Sequence, residues 1–299
     1  MVDGSSPTLI VSPVLREQNQ SDALVRLRAM SVSHKRAQRL AALSAWCSVL
    51  LAAAGCAASF VTSLVGVVAI AGSVWAVVYS TVFSSWVDSA ARRAAYVQEL
   101  LDVRLFRLSW NSVLAGEEPL SHEVNALSRR FSGEEEEIRD YYEIPDLPYP
   151  YDVIACQLQN LGWGARIRRR YARAVVGVTC VWGVAGLVVA LSAHFDLGEA
   201  LVRWYVPSLA ALLLGVTTVR TQWAVAAERE RVLSLVRGRI AAGGGEADLL
   251  RLARQVQDVI FLSRQTYTRV PNWFFRQYQA SDRADFLAAM RELRDQVGR

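Results

Sequence analysis

LAALSAWCSVLLAAAGCAASFVTSLVGVVAIAGSVWAVVYSTVFSSWV, residues 40–87, has no Asp, Glu, Lys or Arg in 48 positions. A helix crosses the hydrocarbon core with about 20 apolar residues. The stretch therefore predicts two spans, over residues 40–58 and 63–85, with a tight turn near Ser59 to Ser63. Two further charge-free runs follow, Ala174 to Phe195 with 22 residues and Trp204 to Val219 with 16. They predict spans over 174–195 and 202–220. The expected fold is an all-α membrane protein, with four transmembrane helices in two hairpins and a helical cytoplasmic domain.

This pattern divides the chain into an N-terminal segment (1–39), a hairpin (40–87), a helical region (88–173), a second hairpin (174–220) and a helical C-terminal region (221–299). Residues 1–20 read as disordered, and 21–39 as a helix running into the first span. The soluble segments are each small for an independent core, so they are expected to pack on one another or in an oligomer. The first apolar run lies too deep and is too long for a cleavable signal, and reads as a retained span.

Net charge is +5, and Lys35 is the only lysine among 33 basic residues. Lys35, Arg36 and Arg39 precede the first span, and Arg92 and Arg93 follow the second. Arg166, Arg168, Arg169, Arg170 and Arg173 precede the third, and Arg220, Arg229 and Arg231 follow the fourth. The two hairpin loops carry one arginine between them, Arg203. Basic residues flank spans on the cytoplasmic side, which places both termini and the central region inside the cell. Because the bases cluster beside spans, membrane lipid is the expected partner, and DNA or RNA is not.

Between the hairpins, Val97, Leu100, Leu101, Leu105 and Leu108 recur at helical spacing, so the second span is expected to continue as helix to about Val113. Pro145, Pro148 and Pro150 predict an extended connection, and Tyr151 to Tyr171 a helix feeding the third span. After the fourth span, helix is expected from Gln222 to Ile240, a hinge at Gly243 to Gly245, and an amphipathic helix with Leu249, Leu252, Val256, Val259 and Ile260 on one face. Pro271 breaks it, and Ser281 or Asp282 caps a last helix to Val297.

Cys47, Cys56, Cys156 and Cys180 form no metal-binding spacing, and neither a Walker loop, GxGxxG nor GxSxG occurs. The expectation is no enzyme, no metal and no cofactor. Three extramembrane stretches have a more specific texture. One runs from Gln98-Glu99-Leu100-Leu101-Asp102 to Trp110-Asn111. The second runs from Tyr141-Tyr142 through Pro145-Asp146-Leu147-Pro148 to Cys156-Gln157-Leu158-Gln159-Asn160 and Trp163, ending at Arg168 to Tyr171. The third is Gln257-Asp258-Val259-Ile260-Phe261 with Arg264, then Pro271-Asn272-Trp273-Phe274.

These stretches, with Arg16 to Arg39, resemble in order and spacing the SMODS-associated four-transmembrane effector family, regarded as a candidate pore-forming family. The resemblance covers nearly the whole chain. It implies an anti-phage effector of the bacterial inner membrane, linked to a nucleotidyltransferase that makes a cyclic oligonucleotide signal, which breaches the membrane and kills or arrests the cell.

Read from residue chemistry, Trp110, Asn111, Tyr141, Tyr142, Gln157, Asn160, Trp163 and Trp273 are candidates to stack on and hydrogen-bond a nucleobase, and Arg168, with Arg169 and Arg170, to take phosphates. Equally, the aromatics and amides build a small helical core, and the arginines hold the membrane boundary. Cys156 reads as core packing or as a redox sensor. Two functions stay open. One is a homo-oligomeric pore-forming or membrane-disrupting effector; the other is a membrane-anchored scaffold for a cytoplasmic partner. Coupled transport is disfavoured, because the spans contain no Asp, Glu, Lys or Arg.

Overall fold

A computed structural model describes residues 12–58, 61–265 and 270–297. Among the described residues there are helices and no strand, in agreement with the all-α expectation. In chain order they are α1 (Pro13–Glu17), α2 (Ser21–Ala58), α3 (Thr62–Val78), α4 (Ser84–Phe106), α5 (Ser112–Ala115), α6 (Ser121–Ser128), α7 (Tyr151–Ser192), α8 (Leu197–Ala200), α9 (Val206–Ala241), α10 (Glu246–Gln265) and α11 (Asn272–Val297). Wide π turns at Tyr79–Phe83 and Leu201–Tyr205 join α3 to α4 and α8 to α9. Four rods long and apolar enough to cross a membrane result: Ser21–Ala58, Ser63–Phe106, Tyr151–Ser192 and Leu197–Ala241. At 1.5 Å per residue each is about 55–70 Å long, roughly twice the hydrocarbon thickness.

Each rod therefore has an apolar half and a polar half. Trp46, Val67, Ile70, Val178 and Val181 stand exposed on the apolar halves, as lipid-facing side chains would. Hydroxyls in these halves bond back to their own helices: Ser48 to the Ser44 carbonyl, Ser73 to Ala69, Thr179 to Val175. That satisfies them without water. Each hairpin is closed by a Trp–Ser bond. Trp75 Nε1 donates to Ser48 Oγ at 2.9 Å, and Trp182 Nε1 to Ser208 Oγ at 3.0 Å.

The two hairpins meet at Pro207. A Cβ on Gly55 of α2 would lie 2.3 Å from Pro207 Cβ, and one on Gly72 of α3 would lie 2.6 Å from Pro207 Cα. On the first span the small residues Ala52, Gly55 and Ala58 are buried. Gly55 gives this span its close approach to the other hairpin. A cavity of about 870 Å³ lies between α2, α7 and α9, with Ala45, Val49, Val178 and Gly215 among its walls and Trp273 at the end nearest the polar domain.

The polar halves, with the shorter helices, form one domain. Leu105, Phe106, Tyr142, Ile154 and Leu158 share a core with Val232, Val236, Val256 and Ile260, so the two extramembrane segments pack on each other. Leu24, Leu27, Val97, Leu101 and Val124 form a second core.

Three local expectations change. Within 1–20, residues 12–20 are built in: Val14 joins the core, and Ser12 Oγ donates to Asp152 Oδ2 at 2.9 Å. Gln18 clamps both backbone groups of Tyr142, accepting from its N–H at 2.8 Å and donating to its carbonyl at 3.2 Å. This pairs a buried backbone that lies outside any helix. Residues 1–11 lie outside the described residues. Helix α4 stops at Phe106 rather than Val113, because Arg107 turns left-handed (φ 55°) and the Leu108 N–H returns to the Val103 carbonyl. Helix α11 begins directly after Pro271 and runs through Ser281, whose hydroxyl bonds the Tyr278 carbonyl inside the helix instead of capping one.

Candidate functional site

A buried polar network occupies the centre of the polar domain. Glu99 and Asp102 sit one turn apart on α4, beyond the second span, and α10 presents Arg254, Gln257 and Arg264 to them. Asp102 Oδ2 accepts from Arg264 Nη1 at 2.6 Å and from Gln257 Nε2 at 3.2 Å. Its Oδ1 accepts from the Tyr142 hydroxyl at 2.7 Å. Glu99 Oε1 accepts from Arg254 Nη2 at 2.9 Å, and Oε2 from Gln257 Nε2 at 2.7 Å. The hydroxyl of Tyr142 in turn accepts from Asn160 Nδ2 at 3.0 Å, which brings in α7 and the third span.

The electrostatics follow from burial. Desolvation raises the Glu99 carboxyl above the ordinary glutamate value, against the lowering effect of Arg254 and Gln257. Burial, and then the Asp102 charge, push the Tyr142 phenol up, so it stays protonated as a donor. Burial works against the Arg264 charge, but Asp102 more than offsets this and holds its pKa above the usual value. Arg229 on α9 differs: burial first, then the charges of Arg168 and Arg264, push it well down. Its Nη1 donates to the Asn160 carbonyl at 2.9 Å. The Cys156 thiol is buried in the core and pushed up, which makes it a packing group rather than a nucleophile.

The residues singled out from sequence fall in different places. Tyr142, Gln157 and Asn160 come together in or beside the network, with Gln157 Nε2 donating to the Ala253 carbonyl at 2.7 Å. The Tyr142 ring is enclosed by protein, at 1% exposure. Tyr141 packs edge-on against Tyr142, and its hydroxyl accepts from Gln98 Nε2 at 2.9 Å. Trp110 packs on Tyr96 and donates to the Gly116 carbonyl, while Asn111 caps α5 and donates to Asp258. Arg168 donates to Gln222 of α9 at 2.9 Å. Trp273 is 70% exposed at the rim of the cavity between the spans. Trp163 lies on α7, and its side chain is outside the described ones. The other eight do not share one surface.

Glu99, Asp102, Gln257 and Arg264 lay inside the quoted stretches without being singled out as site residues. The available signal was an acidic pair at i, i+3 on one amphipathic helix and a set of donors, Arg254, Gln257 and Arg264, on another.

A family model described as the SMODS-associating 4TM effector domain matches residues 12–293. The chain belongs to that family. A relative from Bacillus cereus (strain VD146) bears the name "Probable CBASS effector molecule"; it is 22% identical over 278 residues, covering 90% of this chain and 94% of that protein. No solved structure matches. The matched region takes in all four rods and every member of the buried network.

Proposed function

We propose that the protein is the membrane effector of a bacterial CBASS-type anti-phage system. A cyclic oligonucleotide from a partner nucleotidyltransferase engages the polar domain. Copies of the chain then open or disrupt the inner membrane, and the infected cell dies or arrests. The reading needs no catalytic step. Both termini and the polar domain lie in the cytoplasm, as the basic residues flanking all four spans favour.

The observation that carries this reading is the continuity of the rods. Second, third and fourth spans run without a break into helices that meet around Asp102, Asn160 and Arg229. A ligand seated there acts on three spans through rigid helices and paired buried groups, a physical route for coupling. Four spans of one protomer do not enclose a wide channel, so the reading calls for a homo-oligomer. Moving such an assembly from 1:99 closed to 99:1 open takes about 5.5 kcal/mol of differential ligand affinity.

The test replaces both hairpins by unrelated hairpin anchors of equal length, keeping the polar domain. Expected is loss of protection against phage while the chimaera stays membrane-bound. Full protection by the chimaera would contradict the reading and favour a tethered scaffold.

A further inference from the structure

Arg229 is a buried cation without a carboxylate. It is 8% exposed, and among the described residues no Asp or Glu lies within ion-pair distance of it. The neighbouring arginines of α10 are matched, Arg254 by Glu99 and Asp258, Arg264 by Asp102. Among the described residues the partners of Arg229 are neutral: the Asn160 carbonyl at 2.9 Å, and Ser263 Oγ at a long 3.5 Å. Leaving a charge in the interior on neutral acceptors is costly.

The chain accommodates this group with a specific device. A Cβ on Gly164 would lie 2.3 Å from Arg229 Nη1 and 3.3 Å from Arg168 Nε. Only glycine lets both guanidiniums approach the same point on α7, so two like charges are neighbours there. Arg264 stands next to Ser263, whose Oγ lies 3.5 Å from Arg229 Nη2, and its charge also lowers the Arg229 pKa. Arg229 Nε and Arg264 Nη2 are buried with no acceptor among the described residues, as is Nε of Arg254, which pairs with Glu99 through Nη2. Burying a donor unmet is costly, and more so for a charged group.

We propose that this convergence is an anion seat, and that its ligand is a phosphodiester whose non-bridging oxygens accept from Arg229 and Arg264 while Arg168 adds charge. A tetrahedral oxyanion can accept from two guanidiniums arriving from different helices, and charge-assisted bonds of this kind are the strong ones. The choice of a phosphodiester rests on the nucleotide-signal reading above. The seat lies between α7, α9 and α10, and Asp102 links it to α4. Its occupation would cancel the repulsion among arginines carried by the extensions of the third and fourth spans.

The test measures thermal stability of the full chain in phospholipid-free detergent, titrated with cyclic di- and trinucleotides of adenine and guanine. A second arm compares nanodiscs of phosphatidylglycerol with nanodiscs of phosphatidylcholine. Expected is a saturable rise in melting temperature beyond that in chloride of equal ionic strength, with affinity falling at least about tenfold in Arg229→Gln. Unliganded Arg229→Gln should be as stable as wild type or more so, because an uncompensated charge is gone. Gly164→Ala, which keeps Arg229 but displaces its guanidinium, should weaken binding similarly, and serves if Arg229→Gln does not fold. An Arg229-dependent rise with phosphatidylglycerol alone supports the seat and makes a lipid headgroup its ligand. No rise in either arm, or equal binding by wild type and variants, overturns it. Loss of the seat with intact depolarisation of infected cells leaves the effector reading standing; Arg229-dependent binding without depolarisation sinks that reading and leaves the seat.

Discussion

Arg264 of α10 donates to the Asp102 carboxylate of α4 at 2.6 Å, and both side chains are buried, at 8% and 0% exposure. The bond joins the extension of the second span to a helix that follows the fourth. Removing one partner of such a pair leaves the other charged and unmatched, which costs about 3–5 kcal/mol.

Asp102→Ala is therefore expected to lower the unfolding free energy of the detergent-solubilised protein by about 3–5 kcal/mol. The Arg169–Glu230 pair between α7 and α9, with Nε to Oε1 at 2.8 Å, stays in contact with solvent, its side chains 39% and 42% exposed. Glu230→Ala should cost no more than about 1 kcal/mol. Equal losses in the two variants, read by thermal or denaturant unfolding, would contradict the weight given to the buried network.

The contact between hairpins gives a steric prediction. Gly72 faces the backbone of Pro207, which cannot move aside as a side-chain tip can. Gly72→Val should destabilise by about 1–3 kcal/mol through overpacking. Gly66, on the same helix with nothing within 4 Å of its Cβ position, should accept Ala without loss. A neutral Gly72→Val in the same unfolding assay would show that the hairpins are not held at Pro207.

Much of this architecture was legible in the sequence, because membrane spans announce themselves by absence of charge. The four rods and the all-helical class follow from Leu40 to Val87 and its two later counterparts. The stop of α4 at Phe106 was not legible: Leu108 keeps the helical spacing, and a left-handed Arg107 carries no glycine to mark it. The role of residues 12–18 was hidden for a similar reason. Gln18 matters through the Tyr142 backbone, 124 residues away, which no local pattern reports. Of the site, Tyr142, Gln157 and Asn160 stood out by residue type. Arg229 looked like one more basic flank of a span; its neutral partners and the position of Gly164 beneath its guanidinium distinguish it.

Glu99 gives a pH dependence. Its carboxyl is raised in the folded protein, by burial above all. The folded state therefore holds the proton more tightly than the unfolded chain. The associated stability is fully present below the unfolded value of about 4.3, and is lost as pH rises through the higher folded value. Melting temperatures from pH 4 upward should show wild type losing ground relative to Glu99→Gln as pH increases. A difference independent of pH would contradict the assignment.

Membrane potential in infected cells tests the central claim most directly. Cells expressing the protein with its signal-producing nucleotidyltransferase are loaded with a potential-sensitive dye and followed after phage addition. The account predicts depolarisation that needs both the protein and the signal, and that is lost in cells carrying an inactive nucleotidyltransferase. Membranes that stay polarised while the protein is present and the signal is being made would contradict it.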